Sequence, residues 1–419
     1  MRAAQRLMQT ELAAWIRDTP EGVEANGILR KCVHCGFCNA TCPTYQLLGD
    51  ELDGPRGRIY LIKQVLEGVA PTAKTQSHLD RCLTCRACET TCPSGVGYGR
   101  LVDIGRGLVE KKVGRSLWAS IFRRALAMVL PRRRVFAALL ALGKMAKPVL
   151  PASVARRVPA SPEPAGAWPS ARHARRMLLL AGCVQPALAP RINAASARVL
   201  DRAGISLIEA PGAGCCGALR YHLNRQDDGL DDMRALIDAW WPLLEAGAEA
   251  IVITASGCGV TVKEYGHLLA HDPAYAARAA RVSALCRDVS EVVATELARD
   301  ADFIGVPRAT AERVAFHPPC SLQHGQRIRG VAEKLLLAAG AQLTEVPDSH
   351  LCCGSAGTYA LLQPALSGEL RERKLAALAS GAPQRILSAN IGCLSHLAET
   401  SAIPVEHWIE YLDRCLVQT

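Results

Sequence analysis

Eight cysteines near the N-terminus form two copies of one spacing, C-x2-C-x2-C-x3-C-P, and this repeat constrains the fold more than any other feature. The two copies comprise Cys32, Cys35, Cys38 and Cys42, and Cys82, Cys85, Cys88 and Cys92. Three thiols within seven residues can point at one small body only if the backbone curls around it. The small residues Gly36 and Ala87 lie inside these curls and let the backbone approach closely.

This spacing is typical of proteins that bind two 4Fe–4S clusters, in which the fourth cysteine of each run binds the cluster of the other run. The pattern therefore predicts two cofactor-binding sets: Cys32, Cys35, Cys38 and Cys92 for the first cluster, and Cys42, Cys82, Cys85 and Cys88 for the second. Lys31 and Arg81 precede the two runs, and we expect these cations to raise the cluster potentials. Zinc sites and disulfide frames also use paired cysteines, but eight matched positions favour iron–sulfur clusters.

Length and composition set the broad class of the chain. Its 419 residues are typical of about two to four domains. The N-terminus has no apolar segment of the secretory type, and eighteen cysteines without such a signal indicate a reducing compartment and metal ligation. The longest apolar stretch, residues 135–142, is too short to span a membrane. We therefore expect a cytoplasmic protein, either soluble or peripheral on the inner face of the cell membrane.

Positive charge is concentrated in one segment. Residues 106–176 hold 16 Lys and Arg against two acidic residues, Glu110 and Glu163, whereas the net charge of the whole chain is +10. Apolar residues alternate with these cations, as in a basic amphipathic segment. Such a segment suits an anionic membrane surface or an acidic partner, and a solvated linker remains an alternative. No nucleic-acid-binding motif accompanies the cations, so we expect no nucleic-acid partner.

The C-terminal part of the chain is an internal repeat with a period near 137 residues. In each copy a cysteine precedes a Cys-Cys-Gly triplet, and another cysteine follows it. The outer cysteines come directly after short apolar strand patterns, and the carboxyl ends of parallel strands meet at one edge of a sheet. The candidate ligands of an additional cluster are Cys183, Cys215, Cys216 and Cys258 in the first copy, and Cys320, Cys352, Cys353 and Cys393 in the second. Core packing is the alternative for these thiols.

Other candidate residues carry weaker signals. Gly212, Gly214 and Gly217 match the dinucleotide-binding pattern G-x-G-x-x-G, but the second copy lacks the first two glycines, which disfavours such a site. Cys286 and Cys415 have no counterpart in the repeat and are interpreted as core or incidental residues. Four histidines are expected to support a site or to lie at the surface rather than to bind metal: His317, His324, His222 and His396. His317 and His324 flank Cys320 and are the best ligand candidates among them. No catalytic constellation is recognised in this chain.

The predicted fold class is multidomain α plus α/β. An all-helical ferredoxin-like domain with two 4Fe–4S clusters is expected over residues 1–105, because apolar positions between the two cysteine runs follow a helical period. A basic amphipathic region and linker should occupy residues 106–176, with a Pro/Ala/Ser-rich stretch over residues 148–170. Two cysteine-rich α/β modules should follow, over residues 177–305 and 306–419.

Taken together, these motifs resemble the iron–sulfur subunits of glycolate oxidase (glycolate dehydrogenase). The resemblance covers nearly the whole chain and includes the segment 51–58 between the two cysteine runs and both Cys-Cys-Gly modules, which are shared with heterodisulfide reductase. It implies an oxidoreductase complex in which flavoprotein subunits carry FAD and oxidise glycolate to glyoxylate. This chain would then pass the electrons to a quinone or another acceptor.

The repeat departs from the fullest form of the module, which has five cysteines. Ala255 and Asn390 stand where the fifth cysteine would be, so the resemblance leaves the cofactor of these modules open. Two alternative functions stay open as well. One is the same role in a lactate or glycerol 3-phosphate dehydrogenase, and the other is thiol–disulfide reduction at Cys215-Cys216 or Cys352-Cys353, which would require a substrate cleft there.

Overall fold

The structure is a computed structural model. It describes residues 8–149, 151, 159, 162–300, 303 and 312–417. Most of residues 150–161, within the predicted linker, therefore lies outside the described residues. Contacts divide the described chain into two compact units. The first contains the residues up to Arg123 together with His350–Leu370, and the second contains the remainder.

Every regular element in residues 8–149 is helical, which confirms the predicted helical N-terminal domain. The α-helices are Ala14–Arg17, Pro20–Lys31, Phe37–Ala40, Pro43–Leu48, Pro55–Leu66, Ala73–Asp80, Ala87–Thr91, Tyr98–Val113, Leu117–Val129 and Arg133–Ala146, and 3-10 turns lie at Glu51–Asp53 and Lys147–Val149. The predicted helix between the cysteine runs is Pro55–Leu66, which starts at a proline in its first turn and buries Ile59, Ile62 and Val65. Its close neighbour is Gly105, where an added Cβ would lie 2.6 Å from Cγ1 of Ile62.

The second unit contains two four-stranded parallel sheets built on the same plan, as the repeat predicts. The strands are β1 (Arg175–Leu180), β2 (Ile205–Glu209), β3 (Ile251–Ile253), β4 (Cys286–Asp288), β5 (Arg313–His317), β6 (Gln342–Leu343), β7 (Arg385–Ser388) and β8 (Val405–His407). Their orders are β2-β1-β3-β4 and β6-β5-β7-β8. In both sheets the central pair runs in matched register, with Leu180 beside Ile253 in the first and His317 beside Ser388 in the second.

Helices cover these strands and join the two sheets through one shared hydrophobic core. The helices after residue 162 are Gln185–Leu188, Pro190–Arg202, Ala218–His222, Gln226–Glu245, Ser256–Lys263, Tyr265–Leu268, Ala276–Leu285, Val289–Arg299, Val331–Ala338, Tyr359–Leu362, Pro364–Ala379, Ile391–Ala398 and Trp408–Val417, with a π-helical turn at Ser321–Gly325. Helix Pro190–Arg202 packs against Trp408–Val417, and Val289–Arg299 packs against Val331–Ala338. Alternate residues of each strand face opposite sides of its sheet, so Leu179 lies in the shared core and Leu180 in a separate core of the first module.

The segment His350–Leu370 belongs to the first unit, although its sequence lies in the second repeat. Within that unit the hydroxyl of Tyr359, which is 6% exposed, donates a hydrogen bond of 3.1 Å to the backbone carbonyl of Arg81. Burial and the nearby Cys82 thiol raise the pKa of Tyr359, and Cys352 contributes in the same direction. The segment that carries Cys352 and Cys353 is therefore packed near the second N-terminal cysteine run.

A buried histidine connects the two modules of the second unit. His407 at the end of β8 is fully buried; its Nε2 donates to the carbonyl of Thr254 at 2.9 Å, and its Nδ1 accepts from the backbone N–H of Ile409 at 3.2 Å. Nδ1 accepts this hydrogen bond, so a second proton on the ring would lie on Nδ1 and point at the N–H of Ile409. Protonation of His407 is therefore unfavourable in the folded chain. Burial lowers the pKa of His407 to about 4.

We predict that the stability of the protein falls as the pH drops from about 6.5 to about 4, because the unfolded chain binds a proton at residue 407 in this range and the folded chain does not. His407→Gln keeps a donor for Thr254 and should flatten this part of the pH profile. Thermal midpoints measured anaerobically between pH 7 and 4.5 test this, with the exposed His271→Gln as control. Equal pH profiles for wild type and His407→Gln would contradict the prediction.

Candidate metal centres

The two N-terminal cysteine runs fold into loops of the same backbone shape. The residue before the second cysteine is left-handed in both, at His34 (φ 53°) and Thr84 (φ 54°), and so is the residue after it, at Gly36 (φ 84°) and Arg86 (φ 60°). The backbone N–H of Thr84 donates to Sγ of Cys82 at 3.4 Å. Glycine was expected to serve the close curl in the first run, and the structure shows that an arginine adopts the same conformation in the second.

The eight thiols converge on two cavities. The first cavity is lined by Cys32, Cys35, Cys38, Cys88 and Cys92, and the second by Cys42, Cys82, Cys85 and Cys88. Each cavity thus contains the fourth cysteine of the other run, and Cys88 lines both. Tyr98, whose hydroxyl lies 3.6 Å from Sγ of Cys82, also lines both cavities.

Burial makes the thiols of Cys32, Cys38 and Cys88 poor anions in the absence of a cation. It raises the pKa of Cys38 to about 11 and holds that of Cys88 well above its ordinary value, and neighbouring cysteines add to both effects. Several thiols that crowd into a small cavity and each disfavour a lone negative charge fit a centre that supplies positive charge. Four thiolates around iron meet this condition, so the donor set fits the predicted clusters.

A buried ion pair supports the second cavity and was not predicted from the sequence. The side chains of Arg58 and Asp53 are 1% and 0% exposed, and Nη2 of Arg58 lies 3.5 Å from Oδ1 of Asp53. Arg58 also donates to Oγ1 of Thr44 at 3.1 Å, and this hydroxyl lies 3.3 Å from Sγ of Cys42. The pKa of Arg58 is raised by neighbouring anionic groups, against the effect of its burial. The segment 51–58 thus places a permanent cation beside the thiols of the second cavity.

Arg81, the cation that precedes the second run, forms an ion pair with Asp53. Nη1 of Arg81 lies 2.7 Å from Oδ2 of Asp53, and Nδ1 of His78 lies 3.1 Å from the other oxygen. The charge of Arg81 is therefore balanced by Asp53. Its expected effect on the cluster potential stays a prediction, and Arg58 is the fully buried cation of this region.

In the first cysteine-rich module, the four candidate thiols of the sequence analysis lie together. Cys215 is hydrogen bonded to Cys183 and Cys216, and Cys216 is also hydrogen bonded to Cys258. Donation from Cys183 and Cys216 lowers the pKa of Cys215, and the same bonds raise the pKa of the two donors. Cys215 and Cys216 are 6% and 3% exposed. The first module thus brings its four candidate thiols together in one compact group.

The glycine of each Cys-Cys-Gly triplet is required by the backbone. Gly217 has φ 82°, and an added Cβ would lie 2.4 Å from the carbonyl of Gly229. Gly354 has φ 91°, and an added Cβ would lie 2.6 Å from the carbonyl of Ser367. The match to a dinucleotide fingerprint is explained in this way, since the helix after Gly217 has only five residues.

The candidate thiols of the second module are divided between the two units. Cys352 and Cys353 lie in the first unit and are 4% and 1% exposed, whereas Cys320 and Cys393 lie in the second. Asn390, which occupies the position of the fifth cysteine, donates from Nδ2 to Sγ of Cys393 at 3.5 Å. Its Oδ1 accepts from the backbone N–H of Gly257 in the first module at 3.4 Å.

The four histidines differ in their surroundings. His317 is 1% exposed, and its Nδ1 lies 3.0 Å from Oγ of Ser388. Burial lowers the pKa of His317 to about 3, and the nearby Lys374 adds to this effect. His324 and His396 are also buried, whereas His222 is exposed. Cys286 is fully buried in the core of the first module, as expected, and Cys415 is half-buried beside the shared core.

Two helices of the basic region present apolar side chains to solvent. Helix Leu117–Val129 exposes Trp118 by 79%, and helix Arg133–Ala146 exposes Leu142 by 60% and Met145 by 79%. None of the helices among the described residues combines the length and the apolar character that a membrane crossing requires.

Comparisons with known proteins agree with this architecture. A family model described as a 4Fe-4S dicluster domain matches residues 28–96, and one described as a cysteine-rich domain matches residues 177–263 and 314–398. The glycolate oxidase iron-sulfur subunit of Escherichia coli K12 is 57% identical over 409 residues, which are 98% of this chain and 99% of that protein. The chain belongs to the family of glycolate oxidase iron–sulfur subunits.

Other matches in this family and beyond it are more distant. A probable glycolate oxidase iron-sulfur subunit of Bacillus subtilis 168 is 30% identical and covers 88% of both chains. Lactate utilization protein A of Bacillus licheniformis is 27% identical over 57% of this chain and 99% of its own length. A hypothetical protein from Helicobacter pylori shares the fold, with a TM-score of 0.51 over 95% of this chain and 72% of its own, at 11% identity.

We predict that Arg58→Met lowers the free energy of unfolding of the N-terminal domain by about 3 kcal/mol, because it leaves Asp53 buried with weaker compensation. Denaturant unfolding of the anaerobic protein, followed by cluster absorbance, measures this loss. The matched control is Arg56→Met, since Arg56 forms a half-exposed pair with Glu51 and should cost less than about 1 kcal/mol. Similar losses in the two variants would show that the buried pair has no special role.

Proposed function

We propose that this chain is the electron-transfer subunit of a flavin-dependent glycolate oxidase complex. The observation that carries the proposal is the pair of cavities, each lined by thiols from both N-terminal cysteine runs. The name of the E. coli relative supports glycolate as the substrate of the complex. The domain boundaries at residues 105, 176 and 305 stay a prediction.

The proposed ligands of the two 4Fe–4S clusters are Cys32, Cys35, Cys38 and Cys92 for the first, and Cys42, Cys82, Cys85 and Cys88 for the second. Such clusters accept and release single electrons when bound. The protein supplies polar groups at the edges of the cavities. Tyr98 and Arg58 are the main ones at the second cavity, where a donor and a cation both favour the more negative, reduced state.

Substrate oxidation takes place on partner flavoprotein subunits in this proposal. FAD is held there, and this chain takes the electrons to a quinone or another acceptor. The same electron-transfer role would serve the oxidation of lactate or glycerol 3-phosphate equally well. The choice of glycolate as substrate therefore depends on the name of the E. coli relative alone. Thiol–disulfide reduction is less well supported, because Cys215, Cys216, Cys352 and Cys353 are at most 6% exposed.

We predict that Cys35→Ser and Cys85→Ser each abolish quinone- or dye-linked glycolate oxidation by the assembled complex, because each removes one thiolate from a cavity. Cys415→Ser, at a half-buried cysteine outside all the proposed ligand sets, is the control and should retain activity. The complex is recovered from native cells by affinity purification, and its partner chains and turnover are measured. Wild-type turnover in both cluster variants, or a complex without a flavoprotein, would overturn the proposed function.

We further propose that the basic region docks on an anionic membrane surface. Helix Arg133–Ala146 has no buried residue, and its exposed Val135, Leu139 and Leu142 lie on one face at helical spacing. Exposed arginines at residues 132–134 stand at the start of this helix. An apolar stripe beside clustered arginines complements a bilayer with anionic headgroups.

The docking proposal predicts that the purified chain sediments with vesicles containing phosphatidylglycerol and not with vesicles of phosphatidylcholine alone. Leu139→Gln combined with Leu142→Gln should weaken this binding about tenfold, since both side chains would lose apolar contact with the bilayer. The control is Leu337→Gln, because Leu337 is 55% exposed on a helix outside the basic region. Binding that is unchanged in the double variant would contradict a membrane role for this face and leave an acidic partner or a solvated linker as the alternatives.

A further inference from the structure

The two cysteine-rich modules differ at one matched pair of positions on their central strands. In the first module Leu180 of β1 lies beside Ile253 of β3, and both side chains are in the hydrophobic core. In the second module the corresponding neighbours on β5 and β7 are His317 and Ser388. All four are at most 3% exposed, so the second module has replaced a buried apolar pair with a buried polar pair.

The hydrogen bonds of this pair fix which nitrogen of His317 carries the proton. Oγ of Ser388 donates to the backbone carbonyl of His317 at 3.1 Å. A hydroxyl has one proton, so its oxygen accepts from Nδ1–H of His317, which lies 3.0 Å away. The neutral ring therefore keeps a lone pair on Nε2. An imidazole that is oriented by a bond at Nδ1 and is bare at Nε2 is the usual form of a metal-binding histidine.

Nothing in the described part of the chain satisfies that lone pair. Nε2 of His317 is buried and has no hydrogen-bond partner among the described residues. A buried acceptor without a hydrogen-bond partner lowers stability. The first module has a leucine at the matched position, so a histidine here calls for a functional explanation. A thiol lies close by in the same unit, because a ring nitrogen of His317 and Sγ of Cys393 are within 4.8 Å of each other.

The second module also lacks a fifth cysteine. Asn390 holds that position and donates to Sγ of Cys393 from 3.5 Å, so it stabilises negative charge on this sulfur rather than adding a ligand. Nitrogen from histidine and sulfur from cysteine together suit transition metals, iron among them. In iron–sulfur centres, replacing thiolate by neutral imidazole raises the reduction potential.

We propose that Nε2 of His317 is a ligand to iron in an iron–sulfur centre of the second cysteine-rich module, acting with Cys393. The first module, with Leu180 at the matched position, binds through sulfur alone. The two modules therefore carry centres of different ligand type, and the centre with the imidazole has the higher potential. This inference rests on the proposal that the modules hold iron, and it does not depend on which substrate the partner chains oxidise.

The test is to look for nitrogen bound directly to iron in the anaerobically purified full chain. The N-terminal clusters are expected to have only thiolate ligands, so electron–nuclear double resonance should detect a strongly coupled nitrogen only if a histidine is bound. We expect this coupling in wild type and a change to the 15N pattern when histidine is 15N-labelled. His317→Leu combined with Ser388→Ile restores the apolar pair of the first module and should abolish the coupling while the N-terminal cluster signals persist.

His324→Gln is the control, since His324 is a buried histidine close in sequence whose replacement should leave the coupling intact. No strongly coupled nitrogen in either redox state of wild type would overturn the proposal, as would an unchanged coupling in the double variant or zinc as the only metal of the module. The labelled wild-type sample needs no substitution, so the proposal stays testable if the double variant does not accumulate. Glycolate turnover in Cys35→Ser reports on the proposed function separately.

Discussion

Each of the two N-terminal cavities is lined by thiols from both cysteine runs. Neither run lines a cavity alone, although 39 residues separate Cys42 from Cys82. Helix Pro55–Leu66 fills this interval, and it carries both the apolar residues that pack against Gly105 and the arginine that reaches the thiols. Core packing and site assembly are thus performed by one helix, which explains why an ion pair as costly to desolvate as Asp53–Arg58 is retained in the interior.

The C-terminal repeat shows how one architecture holds two different environments. Both copies keep the parallel four-stranded sheet, the outer cysteines and the left-handed glycine after the double cysteine. Their central strands diverge where side chains face away from the shared core, with aliphatic residues in one copy and a hydrogen-bonded histidine and serine in the other. Divergence at these positions changes the local polarity without disturbing the helices that join the modules.

The sequence predicted the elements that are governed by short-range patterns. Cysteine spacing predicted the loops and helical periodicity predicted Pro55–Leu66, because both depend on neighbours within a few residues. The repeat predicted two sheets of one plan, because it compares matched strands near 137 residues apart. It did not predict the buried role of Arg58 or that of His317. Their partners Asp53, Thr44 and Ser388 come within hydrogen-bond distance only when the chain is folded. Two sequence signals pointed to His317: it lies three residues before Cys320, and it aligns with Leu180 across the repeat, a polar residue in place of an apolar one at a strand end.

The position of His350–Leu370 has a consequence for how the chain can be divided. By sequence this segment is internal to the last module, yet it packs with the N-terminal unit, so the polypeptide passes between the units three times. A single break of the backbone, by a protease or by the splitting of a gene, cannot separate two complete units. It leaves them covalently linked or removes a segment from one of them.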